Sequence, residues 1–341
     1  MIIQELKRGL IKYGCIVVLI IGCIIQYMML YKVDEITRVY YDNSQTVIQR
    51  QLYEKYGGEF NDEKYNEYVK EFSYYRKISA TNADIYREFT SGKIDYETYL
   101  DKARNANEAS DNMSAYAKLM PNIDYVRKDM DNRQLVEQKG YIMLITGGLQ
   151  TVLLIILLYS YYVIYADDVG DRVNALFRTT ANGRTKRVIA KISSAVIITI
   201  FEVFVFTLTE YFFVSKWHII TEFDAPLQSL MEFSKYSGNM KLWNCVLLSR
   251  LCIVLEAVLI GILVYFVAEM CRNKYPAIMF CLLTLLVKNI YGCNFIWNLL
   301  NGRIYIILVA ELIMILILIS VLLVRNRENT KLHYMEDYNV N

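Results

Sequence analysis

The sequence predicts an all-α membrane protein: six transmembrane helices, with a mostly helical extracellular domain inserted between helices 1 and 2. Three observations carry this. Six apolar runs stand apart from the polar segments, and the first, uncharged from Tyr13 to Tyr31, is long enough to cross a bilayer as a helix. The block 32–140 mixes charges of both signs finely and is poor in Gly and Pro, as helical segments are. Lys and Arg of the short connections fall on one side of a six-span topology, as the positive-inside rule requires. The chain is 55% hydrophobic and 21% charged over 341 residues, values that fit segregation into spans and polar blocks rather than one mixed core.

In order, residues 1–31 are a cytoplasmic N terminus carrying Lys7, Arg8 and Lys12, followed by the first span. A secretory signal competes here, since Ile20-Ile21-Gly22-Cys23 resembles the end of a lipoprotein signal. The run stays apolar beyond Cys23, however, which favours a retained span. Residues 32–140 are the extracellular domain. Two helix starts are expected in it, at Asn61 and Asp95 as N-caps, with Phe60 and Ile94 packing back on Tyr65 and Tyr99 as hydrophobic staples. The second span is 141–165, a cytoplasmic loop follows at 166–187, and the third span is 188–214. An extracellular loop at 215–243 is edged by Trp217 and Trp243, as at an interfacial aromatic belt. The fourth span is 244–270 and the fifth 276–289. A short extracellular or re-entrant segment occupies 290–302, the sixth span 303–324, and a cytoplasmic tail 325–341. Both termini then lie in the cytoplasm of a multi-pass plasma-membrane protein.

Several function classes are excluded or disfavoured. A net charge of +2 offers no global basic surface, so no nucleic-acid partner is expected. All 7 cysteines lie in or beside apolar runs and none has CxxC spacing, which reads as buried apolar packing without a metal. No GxxxxGK[ST], HExxH or GxSxG is present, and no catalytic residue is assigned.

Charges within the spans are the exceptions to look at. Glu202 and Glu210 fall in the third, Arg250 and Glu256 in the fourth, Lys288 in the fifth and Glu311 in the sixth. A charge at mid-bilayer costs at least ~2.5–3.5 kcal/mol on insertion scales, so these groups should face the protein interior or water. Glu202, Glu256, Arg250, Lys288 and Glu311 are candidates for an intramembrane polar path, with a Glu311–Lys288 or Glu311–Arg250 pair. Inter-helix pairing and snorkelling are the plainer alternative.

The stretch Asp167–Lys191 draws the most attention. Val169, Val173, Leu176 and Phe177 share one helical face, and Asp168, Asp171, Arg172, Asn174 and Arg178 cover the other. Asn182-Gly183 breaks the helix, and Arg184, Lys186, Arg187 and Lys191 load the start of the next span with positive charge. With the spans placed, the chain resembles the permease subunits of type-2 (ABC-2) ABC exporters. The resemblance rests on the topology, an acidic residue (Asp167 or Asp168) after the second span, the segment from Ala175 to Arg184, and Lys191 opening the third span. Aspartates stand where that family usually has glutamate, and Ala181-Asn182 where it often has proline before Gly-Arg. The large outer block is more like Gram-positive members. The resemblance implies that Asp168, Val169, Val173, Leu176, Phe177, Arg178, Gly183 and Arg184 couple the chain to a separate ABC ATPase. It implies no cofactor on this chain, ATP on the partner, a second permease chain, identical or different, and an amphipathic substrate. A non-transporting membrane sensor whose outer domain binds a ligand or partner is the alternative reading, and an intramembrane enzyme built on Glu256 a third.

Overall fold

The computed structural model describes residues 2–7, 14–38, 43–146, 150–166, 183–271, 274–291 and 295–338. Among them the chain is helical, and its only extended pairings are two isolated bridges, Gly58 with Leu135 and Pro226 with Lys241. The helices are α1 (Ile2–Lys7), α2 (Cys15–Arg38), α3 (Asn43–Tyr56), α4 (Asp62–Ser79), α5 (Asn82–Thr90), α6 (Tyr96–Arg127), α7 (Gln138–Thr146) and α8 (Gln150–Tyr161). A single π-turn, Tyr162–Ala166, continues α8. There follow α9 (Gly183–Trp217), α10 (Leu242–Cys271), α11 (Lys274–Tyr291), α12 (Phe295–Leu300) and α13 (Ile304–Tyr338).

Among the described residues, five stretches are long and apolar enough to cross a membrane: Cys15–Lys32, Gln138–Tyr165, Thr185–Trp217, Leu242–Cys271 and Ile304–Arg325. They mark a multi-pass membrane protein. The helix α11, which the sequence reading takes as the fifth span, is not among the five. The reason is its ends. Lys274 and Lys288 bracket the apolar run, which at ~1.5 Å per residue measures only about 20 Å.

The chain divides into two compact units. The first comprises Met1–Leu30, Thr146–Phe213 and Val246–Asn341. Its core joins Leu19 of α2 to Leu153, Leu157 and Tyr161 of α8, Ile198 and Phe206 of α9, and Ile262 and Tyr265 of α10. Close helix approach is allowed where a side chain is missing: a Cβ on Gly22 of α2 would overlap the side chain of Ile156 of α8. The Ile304–Arg325 stretch is only 11% buried and presents Ile306, Val309, Leu316 and Ile317 outward, an apolar exterior suited to lipid.

The second unit comprises Tyr31–Ile145 and Val214–Cys245. In it α6 packs on α3, α4 and α5. The α6 residues Ala115, Tyr116, Leu119, Ile123 and Val126 recur at helical spacing and bury one face against Leu52, Tyr56, Phe60 and Tyr68. Both expected caps are present. Asn61 accepts from the Lys64 amide at 2.9 Å, and Asp95 accepts from the Thr98 amide at 3.0 Å. Phe60 is buried with Tyr65 packed on the same cluster, and Tyr99 stacks on Phe89 at 4.5 Å. Gly58 sits at φ +77, a left-handed conformation, and exchanges both backbone bonds with Leu135 at 3.0 and 2.8 Å.

A carboxylate lies at the edge of this core. Glu71 accepts from Lys55 Nζ at 2.7 Å, Tyr56 at 2.8 Å and Tyr116 at 2.5 Å. Burial pushes its carboxyl up, but these three donors outweigh burial and hold it below its ordinary value of 4.5. Burial and the hydrogen bond to Glu71 in turn raise the Tyr56 and Tyr116 hydroxyls, so both stay protonated donors.

The sequence reading treats 215–243 as a separate loop, whereas the structure builds it into the second unit. The Tyr125 hydroxyl donates to the Gln228 carbonyl at 2.6 Å, and the Gln138 amide nitrogen to the Ser229 carbonyl at 2.9 Å. Met231 N donates to Gln138 Oε1 at 2.8 Å, and Gln134 N to Ser229 Oγ at 2.9 Å. Glu137 receives the Gly140 amide at 2.8 Å and lies 3.0 Å from His218 Nδ1. All but the Gly140–Glu137 bond join residues 81 to 103 positions apart, which no local sequence pattern announces.

Candidate functional site

Asp168, Val169, Val173, Leu176, Phe177 and Arg178 lie outside the described residues, as does the whole of 167–182. Gly183 is the first residue of α9 and Arg184 the second. What the structure describes is how the two sides of that segment are held. They are joined by a seam of polar contacts within the first unit.

The seam has three steps, running antiparallel. Farthest from the 167–182 segment, Ser160 Oγ of α8 donates to Glu202 Oε1 of α9 at 2.5 Å. Glu202 is 1% exposed, and Cys15 of α2 packs against the same Ser160. Next, the Tyr161 hydroxyl lies 2.7 Å from Thr199 Oγ1 and 2.7 Å from the Ala257 carbonyl oxygen of α10. Thr199 Oγ1 is also 2.8 Å from the Ala195 carbonyl oxygen. Two hydroxyl protons therefore serve three contacts. Last, Lys191 Nζ of α9 donates to the Ile164 carbonyl at 2.7 Å.

Each step satisfies a polar group where water is scarce. An unsatisfied backbone or side-chain group in hydrocarbon costs several kcal/mol, so the partners lock helix rotation as well as distance. From Lys191 to Glu202 the seam spans roughly 16 Å of α9. The rings reinforce it: Tyr165 of the π-turn stacks on Tyr265 of α10 at 4.6 Å and on Tyr161 at 6.2 Å. Gly261 makes room for Tyr161, because a Cβ there would stand 2.7 Å from the ring.

The other intramembrane charges are distributed as follows. Arg250 of α10 donates to Glu210 of α9 at 2.8 Å. Glu210 is fully buried and the Arg250 side chain is 13% exposed. Arg250 is thus paired with Glu210, an acceptor that the sequence reading did not name for it. Glu256 and Glu311 are half-buried on α10 and α13, and the side chain of Lys288 on α11 lies outside the described set. The structure brings Glu202 to the seam and Arg250 to Glu210.

Sequence reasoning noted Lys191 only as a basic residue opening a span. Its 2% exposure and its bond to Ile164 were missed, as were Ser160, Tyr161, Thr199 and the π-turn. A serine, tyrosine and threonine in apolar runs carry no period that marks them as partners. The one available signal was that a lysine four residues inside an apolar run must find an acceptor. No family model, curated protein or solved structure matches this chain.

Proposed function

We propose that this chain is the transmembrane permease subunit of an ABC exporter, powered by ATP hydrolysed on a separate ATPase. In this reading the protein has six spans, α11 being the fifth, with both termini and residues 167–182 in the cytoplasm and residues 32–140 outside. The face Val169–Val173–Leu176–Phe177, with Asp168 and Arg178, docks on the ATPase, and Gly183-Arg184 begins the return into the membrane. A second permease chain completes the transporter within the plasma-membrane lipid. The cargo is amphipathic: a peptide, a lipid-linked molecule or a drug.

The observation that supports the reading most directly is the seam. The two helices that flank 167–182 are cross-linked by Ser160–Glu202, Tyr161–Thr199 and Lys191–Ile164. A load applied between them moves both helices together, and Tyr161 passes it to α10 through the Ala257 carbonyl. That is the mechanical requirement for turning closure of an ATPase dimer into repacking of spans.

The test is purification from native membranes in mild detergent. A P-loop ATPase is expected to accompany the chain, and Leu176→Asp combined with Arg178→Glu is expected to release it while the chain stays membrane-inserted. If no ATPase accompanies the wild-type chain, the exporter reading fails and a sensor role for the outer unit replaces it.

A further inference from the structure

The seam ends in a feature that neither topology nor coupling requires, a π-turn. We propose that Tyr162–Ala166 is a two-state turn, and that Lys191 is the positioning residue that holds it in its π form. The use of this turn in transport rests on the exporter reading, but the turn and its latch do not.

Three observations converge on it. First, the π-turn directly continues α8, at the end of the helix that leads on to residue 167. A π-turn holds one residue more than the α-helix it interrupts, and such turns are rare and concentrated at functional positions. Returning it to α would rotate everything after it by about 100°, one residue's advance.

Second, the helix just before the turn is fixed and cannot absorb that rotation. Ser160 is bound to Glu202, and Tyr161 is held by Thr199, by the Ala257 carbonyl and by the space at Gly261. A change of register is therefore confined to 162–166.

Third, the contacts made by the turn depend on its register. Lys191 is 2% exposed and donates to the carbonyl of Ile164, inside the turn. A hydrogen bond donated by a charged group is among the stronger ones, and this one forms only while the Ile164 carbonyl faces Nζ. Rotation of the turn would carry the Ile164 carbonyl away from Nζ and slide Tyr165 off Tyr265. Lys191 is thus a latch: engaged, it favours the π form, and released, it permits the α form. Population of the second form then requires an outside bias, such as a load on the chain beyond Ala166.

Amide hydrogen exchange of the full-length chain in lipid nanodiscs tests this with no ATPase present. Lys191→Met, which keeps the length but removes the donor, is expected to speed exchange of amides 160–166 about tenfold and leave amides 195–210 unchanged. Lys191→Arg keeps a donor and is expected to stay near wild type. Deleting Val163 removes the extra residue, so it should slow exchange in the turn and make it insensitive to the residue at 191. Where Lys191→Met fails to accumulate, Lys191→Leu, which also lacks a donor, reads the same arm. The proposal is overturned if loss of the donor leaves 160–166 unchanged or speeds exchange equally along α9. It is also overturned if the Val163 deletion still responds to residue 191. Absence of an ATPase in purification would sink the exporter reading and leave these exchange results untouched.

Discussion

Glu71 shows how one carboxylate organises the outer unit. It collects Lys55, Tyr56 and Tyr116, donors from α3 and α6, onto α4. Because its folded-state value lies below the ordinary one, it contributes stability that is fully present above about pH 4.5 and is lost as pH falls through the lower folded value. Glu71→Gln is therefore expected to lower the unfolding temperature of the outer unit at neutral pH, by a cost of about 1 kcal/mol for a partly exposed, charge-assisted network. The same substitution should flatten the acid limb of the stability curve. Thermal unfolding followed at pH 7 and pH 4 checks both, and an equal loss at the two pH values would show that Glu71 acts by packing alone. At this scale legibility in the sequence followed range. Asn61 and Asp95 were readable as caps because a cap is completed three residues away. The Arg250–Glu210 pair spans 40 residues and depends on how α9 and α10 are rotated, so the sequence did not single it out.

At the scale of elements, α8 is held in place by what α10 lacks. Gly261 leaves the space that the Tyr161 ring fills, and the Tyr161 hydroxyl then reaches the α10 backbone at Ala257. Gly261→Ala is expected to destabilise the detergent-solubilised protein by about 1–3 kcal/mol, since the added methyl meets a ring that is itself pinned. The cost should shrink in a Tyr161→Leu background, where nothing rigid stands against the methyl. A double-mutant cycle on thermal inactivation reads the coupling, and equal costs in both backgrounds would place the strain elsewhere. Helices as such were legible, because long apolar runs and a Gly-poor polar block leave few alternatives. The π-turn was not: Tyr162–Ala166 has the same apolar composition as the α-helix before it, and only its tertiary partners distinguish it.

For the whole molecule the open quantity is parity. An even number of spans puts both termini on one side, and an odd number puts them on opposite sides. Basic residues at Arg272 with Lys274 and at Arg325 with Arg327 share a side only if the chain crosses twice between them. Against this, the apolar run of α11 measures about 20 Å where the hydrocarbon is about 30 Å thick. The conflict is reduced by the flanks of that run. Lys274 and Lys288 have long stems that reach toward either interface, which extends the usable length of a short helix. In the six-span arrangement, α12 then lies at the outer end of α11, before α13 returns. Cysteine labelling on intact cells decides the parity. In a variant whose seven native cysteines are replaced, Thr81→Cys, on the exposed start of α5, is expected to react with a membrane-impermeant maleimide. Asn339→Cys, in the tail, is expected to react only after permeabilisation. Reaction of both positions in intact cells would give an odd count, remove α11 from the spans, and put the tail on the same side as the outer unit. The loop 167–182 would keep its side under either count, because its placement depends only on the two spans before it.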